Sequence, residues 1–485
     1  PPRAAPPGRA GGWGGGPAHS PRHRPLRDLV SGCPDVLLAA GPCWALSPLV
    51  VAQVLPPGVL FDVVVVLEAS SVPVAEAVSA ISRARQVVLV GDSRQLPPSG
   101  GLASVLDAGS AVLPVVHLDR DHRSCDERLI AFADQQVYGG QLVTVPGAVG
   151  ADVLHLEQVE GTGPVPVGAE AVESTEAEVD RVSDLVIAHA RRRPHESLGV
   201  ITVTRRHAAR IQDALRREIA VQPDHATLAG FFADDRPEPF FVKDLERVQG
   251  DARDAVVLTI GFGRTPHGRV LHRFGPLTQD GGERRLTVAT TRARRRMTVV
   301  SSFGADDLDP ERLTTPGARM LRDLLAHAAA GGPPAAAGPA STDPLMTDLA
   351  TRLRAQGLVV REGYGTSSGR IDLAVGVDDG TDRLLVAVEG DGPAYAAMAT
   401  TRERDRLRVQ HLQRLGWTHL RVWSTDVFRD PAREVARVRA AVHAAVRAAA
   451  PVGPPASQTQ ARPPARTRED AHDRWLLEQR PPHWD

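Results

Sequence analysis

Glu68, Asp92 and Gln95 stand at the ends of short apolar runs. Phe61-Asp62-Val63-Val64-Val65-Val66-Leu67 leads into Glu68, and Gln86-Val87-Val88-Leu89-Val90 leads into Gly91-Asp92-Ser93-Arg94-Gln95. Ligands of parallel α/β sheets bind outside the carboxyl ends of the strands, which is where these three polar groups fall. A second set lies far downstream. Asp372 sits near the start of Arg370-Ile371-Asp372-Leu373-Ala374-Val375, and Glu389 and Asp391 close Leu384-Leu385-Val386-Ala387-Val388-Glu389-Gly390-Asp391. Carboxylates gathered at one sheet edge can hold Mg²⁺, which positions water for in-line attack on a phosphodiester. The segment Thr401-Arg402-Glu403-Arg404-Asp405-Arg406-Leu407-Arg408 reads as a helix with five arginines by Arg414. From it Arg402, Arg406 and Arg408 are expected to meet a phosphate backbone.

The elements that position these groups follow from hydropathy. Residues 61–67 and 86–90 read as buried parallel strands, apolar on both faces, with a helix over 74–83 between them. That order implies an α/β layer with a parallel sheet over 35–116. A second α/β block over 117–303 is expected to have strands at 198–203, 255–259 and 297–301 and helices at 127–136, 176–192 and 207–219. Residues 304–342 contain Gly-Gly-Pro-Pro-Ala-Ala-Ala-Gly-Pro and read as a linker. A third unit, 343–450, reads helix, strand pair, helix, strand, helix, the strand pair joined by a polar turn at 378–382. The Pro-, Gly- and Arg-rich residues 1–34 and the tail 451–485 are expected to be disordered.

Length agrees with this division, since 485 residues correspond to about three domains. A hydrophobic fraction of 42% is enough for several cores, filled mainly by Val, Ala and Leu because aromatics are only 4%. A net charge of −1 gives no global basicity that would by itself announce nucleic acid. The basic residues are nevertheless unusual: Lys243 is the single lysine. A phosphate loop G-x-x-x-x-G-K-[ST] needs a lysine after its last glycine, and Lys243 follows Phe241-Val242 instead, so this chain has no such loop. Cys33, Cys43 and Cys125 lack paired metal-ligand spacing and point to a reducing compartment. No apolar run approaches ~18 residues, and no charged-then-apolar leader follows Pro1. The chain is expected to be soluble and cytoplasmic, to have no membrane partner, and to start partway through a gene.

Five motifs in order carry a resemblance. Leu67-Glu68-Ala69-Ser70, Gly91-Asp92-Ser93-Arg94-Gln95, Asp121-His122-Arg123-Ser124, Val248-Gln249-Gly250-Asp251 and Val288-Ala289-Thr290-Thr291-Arg292-Ala293-Arg294 resemble a superfamily one helicase of the DNA2/NAM7 type over residues 36–303. The resemblance implies a partial first RecA-like P-loop NTPase lobe over 35–116 and a complete second lobe over 117–303. It further implies Mg²⁺ and ATP as cofactors. In the family, Glu of the acidic pair (Glu68 here) activates water and Gln of the third motif (Gln95, beside Asp92) senses the γ-phosphate. Arginines matching Arg123 and Arg292 neutralise charge in the phosphoryl-transfer transition state. Gln249-Gly250-Asp251 matches the loop that couples nucleotide state to the bound strand. The family's Asp-Glu pair is Leu67-Glu68 here, so its metal-holding carboxylate is replaced by a hydrocarbon.

The third unit resembles the restriction-endonuclease-like fold of the very short patch repair type. The resemblance rests on Ile371-Asp372-Leu373, Glu389-Gly390-Asp391-Gly392, Arg404-Asp405-Arg406-Leu407-Arg408 and Leu415-Gly416-Trp417 with Trp423-Ser424. It implies Asp372, Glu389 and Asp391 as metal ligands and catalytic groups. Relatives carry a histidine where Ala396 follows Tyr395, and an acid in the leading helix where Met346 stands. On the bland alternative, Asp372 caps a turn and Glu389 pairs with Arg370 or Arg402. The leading expectation is the C-terminal part of an ATP-dependent DNA helicase–nuclease in repair or defence. Its partners would be DNA and the missing N-terminal helicase half. The alternatives are an inactive nucleic-acid-binding module working with a partner ATPase, or an RNA helicase relative. The arginine-rich segments 284–296 and 402–414 are expected to carry single-strand binding.

Overall fold

The computed structural model describes residues 25–148, 153–167, 169–332, 343–378 and 383–449. The termini expected to be disordered lie largely outside the described residues, as do linker residues 333–342 and turn residues 379–382.

β1 (Phe61–Val66) and β2 (Ala84–Leu89) pair in parallel, Val65 beside Val88, through the crossover helix Val74–Ile81. Val66, Ala69, Ala77 and Val105 bury one face together with Ile81 and Leu89. The opposite face corrects the expectation of strands buried on both sides: Val63, Val65, Val88 and Val90 are exposed, Val65 by 52%. Among the described residues this sheet has two strands and helices on one side only, so nothing covers the second face.

β3 (Leu154–Gln158), β4 (Leu198–Thr202), β5 (Phe241–Asp244), β6 (Arg253–Thr259) and β7 (Ala293–Ser301) form an all-parallel sheet in the order β3-β7-β6-β4-β5. Helices Glu176–Arg192 and Arg205–Val221 cover one face, where Val182, Val186 and Ile211 meet Val200, Val242 and Val257. Helices Gly282–Thr290 and Pro316–Ala329 cover the other, where Leu286, Leu321 and Leu324 meet Ile201, Val256 and Leu258. The second of these helices corrects the linker boundary: it precedes the Pro- and Ala-rich run 333–339 and buries Met320, Leu321, Leu324, Leu325 and Ala328. β3 and β5 were not anticipated. β3 alternates Leu-His-Leu-Glu at the sheet edge, and β5 has four residues, too few for a pattern to stand out.

A polar core ties the carboxyl ends of these strands together. Fully buried Glu178 accepts hydrogen bonds from the Ser302 amide and hydroxyl, the Gly261 amide and the Thr259 hydroxyl. Burial lifts its carboxyl to about 7, against those bonds. Burial lowers neighbouring His207 to about 3; its ring nitrogens bond Ser174 at 2.8 Å and Thr259 at 2.9 Å. Ser174, His207 and Glu178 have the residue types of a hydrolytic relay, but each is at most 1% exposed, so no substrate reaches the serine. Their role is to satisfy buried backbone and side-chain groups.

β8 (Leu358–Tyr364), β9 (Ile371–Val377), β10 (Leu384–Glu389) and β11 (Thr418–Arg421) form the third sheet in the order β11-β10-β9-β8. The first three strands are antiparallel and β11 runs parallel to β10. β8 adds a strand to the expected pair. Val145, more than two hundred residues upstream, completes a core with Ile371, Ala374, Leu384, Ala387, Leu412, Leu415 and Trp417. The Trp417 indole donates to the Pro146 carbonyl at 2.8 Å, and the Thr144 amide donates to the Ser367 hydroxyl at 2.8 Å. Glu127 accepts from the Thr366 amide and hydroxyl. Residues 143–148 therefore belong physically to the third sheet, which corrects the division between the second and third units. Trp417→Ala, which opens this shared core, should cost about 3–5 kcal/mol in urea unfolding. Residues 343–449 expressed alone should unfold at lower urea than the same sheet in the whole chain; equal midpoints would contradict the shared core.

Candidate functional site

The first group of polar residues is brought together between the first and second sheets. A Cβ on Gly91 would lie 2.8 Å from the Ser70 amide nitrogen, so only glycine lets the two strand ends approach and places Glu68 and Asp92 on one edge. Glu68 has φ of 52°, a costly conformation outside glycine, at the turn where β1 ends. Asp92 accepts from the Arg94 amide at 2.9 Å, the Gln95 side-chain amide at 3.0 Å and the Tyr138 hydroxyl at 2.6 Å. Gln95 in turn accepts from the Arg292 guanidinium at 2.7 Å, a contact across 197 positions of sequence.

Arg292 is 2% exposed and also donates to the Val288 carbonyl at 2.8 Å. Burial, then the nearby Arg123 charge, lowers its guanidinium to about 10, while Glu68 and Asp251 oppose the shift. Arg123 is placed by an Asp121 turn, whose carboxylate accepts from the Arg123 and Ser124 amides, and donates to the Thr291 carbonyl at 3.0 Å. Gln249 reaches the Glu68 carboxylate at 3.4 Å. It precedes Gly250, whose φ of 86° suits the turn into β6. Glu68 with Gln249, Asp92 with Gln95 and Arg292, and Arg123 beside Thr291 thus come together where the first and second sheets meet.

This donor set does not fit Mg²⁺ with a nucleotide. Asp92 is committed to three donors, and Leu67, 68% exposed beside Glu68, has no ligand atom. Among the described residues no group of three or more His, Cys, Asp or Glu is placed to hold a metal ion.

The third sheet brings Asp372 and Glu389 close but disperses their lone pairs. Asp372 accepts from the Gly390 amide at 2.9 Å; burial raises its carboxyl, as does the Glu389 charge more weakly. Glu389 accepts from Arg408 Nε at 2.9 Å and meets His419 Nε2 at 3.1 Å, with Arg421 at 3.6 Å. Against the cost of burial, His419 and Arg408 hold its carboxyl at about 2. Asp391 accepts from the Ser424 amide at 2.8 Å and hydroxyl at 3.0 Å. Asp372, Glu389 and Asp391, the expected metal ligands, thus all face protein donors: Asp372 the Gly390 amide, Glu389 Arg408 and His419, and Asp391 Ser424. Met346 is 3% exposed, and its sulfur lies 3.2 Å from where a Gly390 Cβ would be, so an apolar side chain stands beside Asp372.

The arginines divide in the same way. Arg402 and Arg406 are exposed, as a phosphate contact requires. Arg408 is not available, because beyond Glu389 it donates to the Gly369 and Arg370 carbonyls. Asp405, on the same helix, accepts from the Tyr395 hydroxyl at 2.8 Å. Arg294 pairs with Glu238 and Asp254, Arg295 with Asp254, and Arg296 with Glu196, at the start of β7. The segment 294–296 is an ion-paired strand end rather than a free cationic surface.

Sequence reasoning missed Tyr138, His419 and Arg421. Tyr138 ends a π-helical turn, Asp134–Tyr138, a local irregularity often found at functional sites. Burial and the Asp92 contact both raise its hydroxyl. His419 and Arg421 are two apart on β11 and face Glu389 through the β10–β11 register, a signal visible only once that pairing is known.

An AAA domain family model matches residues 104–303, and the REase_MTES_1575 family model matches residues 346–442. An uncharacterized ATP-dependent helicase of Mycoplasma genitalium is 25% identical over 302 residues, covering 55% of this chain and 25% of the relative. Its homolog in Mycoplasma pneumoniae matches to the same extent. The chain spans about a quarter of the length of these curated relatives. Among solved structures, the PRRSV helicase is 17% identical with a TM-score of 0.25, covering 49% of this chain and 34% of that one. The C-terminal domain of a possible DNA helicase from Lactobacillus plantarum is 16% identical with a TM-score of 0.22, covering 37% and 88%. Residues 104–303 are thus similar to an AAA domain and residues 346–442 to a REase_MTES_1575 domain, in keeping with the mixed α/β fold. No described helix is long and apolar enough to cross a membrane.

Two outcomes follow from the geometry. Leu67 makes its contacts at the surface, so Leu67→Asp should change stability by less than about 0.5 kcal/mol, measured by urea unfolding. Glu389 has a folded-state pKa of about 2, below its unfolded value of about 4.3. Its contribution is therefore fully present above the unfolded value and is lost as pH falls from there towards 2. The thermal midpoint of wild type should exceed that of Glu389→Gln at pH 6, and the gap should narrow through that window; a gap independent of pH would contradict the ion pair.

Proposed function

We propose that this chain works as the C-terminal part of an ATP-dependent helicase–nuclease acting on DNA, in repair or defence. The observation that supports this most is the burial of Arg292 against Gln95, with Arg123 bonded to neighbouring Thr291 and Gln249 to Glu68. Arginines held without competing carboxylate partners face the edge where Glu68 and Asp92 end their strands. That arrangement suits a group whose charge grows during phosphoryl transfer. The phosphate loop and its lysine would come from outside this chain, in keeping with the single lysine at position 243. Calorimetric titration with ATP and Mg²⁺ should accordingly show no binding tighter than the millimolar range for the chain on its own; micromolar binding with hydrolysis would contradict that division of labour.

A second reading is favoured by one observation. Glu389 and Asp391 are committed to Arg408, His419 and Ser424. On that reading the endonuclease-like domain grips nucleic acid for a partner ATPase and does not cut. Both readings require a nucleic-acid surface, and exposed Arg402 and Arg406 are the candidates on the third unit. Fluorescence anisotropy with labelled single-stranded DNA should give an affinity that falls steeply with salt. The log–log slope should drop by roughly 1 to 2 in Arg402→Gln/Arg406→Gln. An affinity flat between low and physiological salt would sink the proposal, and tighter binding of the matched RNA strand would move it to the other polymer.

A further inference from the structure

The cluster at Glu389 contains more cationic donors than a carboxylate needs, and their arrangement is specific. Arg408 Nε meets Oε1 at 2.9 Å, while its Nη2 also donates to the carbonyls of Gly369 at 3.0 Å and Arg370 at 2.9 Å. His419 meets Oε2 at 3.1 Å from the neighbouring strand. Arg421 stands 3.6 Å from the same oxygen and is fixed by the Gly390 carbonyl at 2.8 Å. Glu389 is 5% exposed, and the Arg408 side chain only 11%. Both carboxylate oxygens therefore face basic donors in a site nearly closed to solvent.

A hard divalent cation binds by taking oxygen lone pairs directly, and it tolerates no guanidinium in the same first layer. We propose that Arg408 stands where a divalent cation's charge would stand, so that this domain takes no metal at Glu389 while the Arg408–Glu389 pair holds. The inference rests on the reading of the domain as endonuclease-like. It goes further in naming the residue that keeps the expected metal site from assembling.

The helix that carries Arg408 gives the pair its setting. Glu403, on the preceding turn, pairs with Arg120 at 2.8 Å, and His411, one turn further on, lies against His122 with ring centroids 5.6 Å apart. Both partners flank the Asp121 turn that places Arg123. The Arg408–Glu389 pair, here called the latch, thus sits on a helix held from two sides: by Glu389 within the third sheet, and through Glu403 and His411 by the segment that carries Arg123.

The test uses the whole chain and Mn²⁺ alone, with free Mn²⁺ read by electron paramagnetic resonance. Wild type and Glu389→Gln should titrate alike. Arg408→Gln should gain one Mn²⁺ site at least tenfold tighter than any in wild type, and adding Glu389→Gln should remove it. Wild type binding Mn²⁺ in a way that Glu389→Gln weakens tenfold would overturn the latch while leaving the endonuclease-like reading intact. A folded Arg408→Gln, with an unchanged circular dichroism spectrum, that gains nothing would also overturn it, and would count against a metal site in this domain altogether. Should Arg408→Gln fail to fold, Arg408→Met, which keeps most of the aliphatic stem and removes the charge, takes its place under the same two outcomes.

Discussion

A buried arginine whose charge is answered by an amide, not by a carboxylate, sets the arrangement of the first two sheets. Arg292 lies at the end of helix Gly282–Thr290, just before β7, and its guanidinium spans the gap to Gln95. Burying an ion without a counter-ion is costly, so such a group persists only where the surroundings fix it in place. Val288 holds one side, Gln95 the other, and Asp92 with Tyr138 holds Gln95. Remove the arginine and the edge that carries Glu68 and Asp92 loses its only described side-chain bond to the β6–β7 end apart from the longer Glu68–Gln249 contact. The lowered guanidinium pKa expresses the same tension.

The remaining arginines follow a contrasting rule. Where carboxylates are near, they are consumed: Arg294 by Glu238 and Asp254, Arg128 by Asp126, Arg408 by Glu389. In a chain whose basic residues are almost all arginine, bidentate geometry is readily available, and surface charge is correspondingly scarcer than composition suggests. This is why the stretch 294–296 reads as a cationic patch in sequence and folds as a strand end. It is also why the third sheet presents a salt-bridge cluster at Glu389, where Arg408, His419 and Arg421 converge.

The order of motifs was legible because each polar residue follows an apolar run of strand length, and strand ends in a parallel sheet converge. That reasoning located Glu68, Asp92 and Gln95 and, through resemblance, Arg123, Gln249 and Arg292, which the structure gathers. It could not locate Tyr138, whose partner Asp92 lies 46 positions away, and it could not foresee that Val145 and Pro146 would serve the core of a sheet beginning at residue 358. Alternation in β3 and brevity in β5 hid two strands. The fate of Glu389 was least legible of all, since it depends on which arginine the following helix delivers to it: the sequence reading offers Arg370 or Arg402, and the partner is Arg408, which the same reading assigns to a phosphate contact.

The claim that matters most is that Arg292 and Gln95 bind the two sheets into one site. A double-mutant cycle on Gln95→Ala and Arg292→Met, read by urea unfolding of the whole chain, measures that bond directly. A coupling of about 1.5–3 kcal/mol is expected for a buried hydrogen bond from a charged donor. Strictly additive losses from the two substitutions would show that the sheets meet without this contact, and would contradict the account.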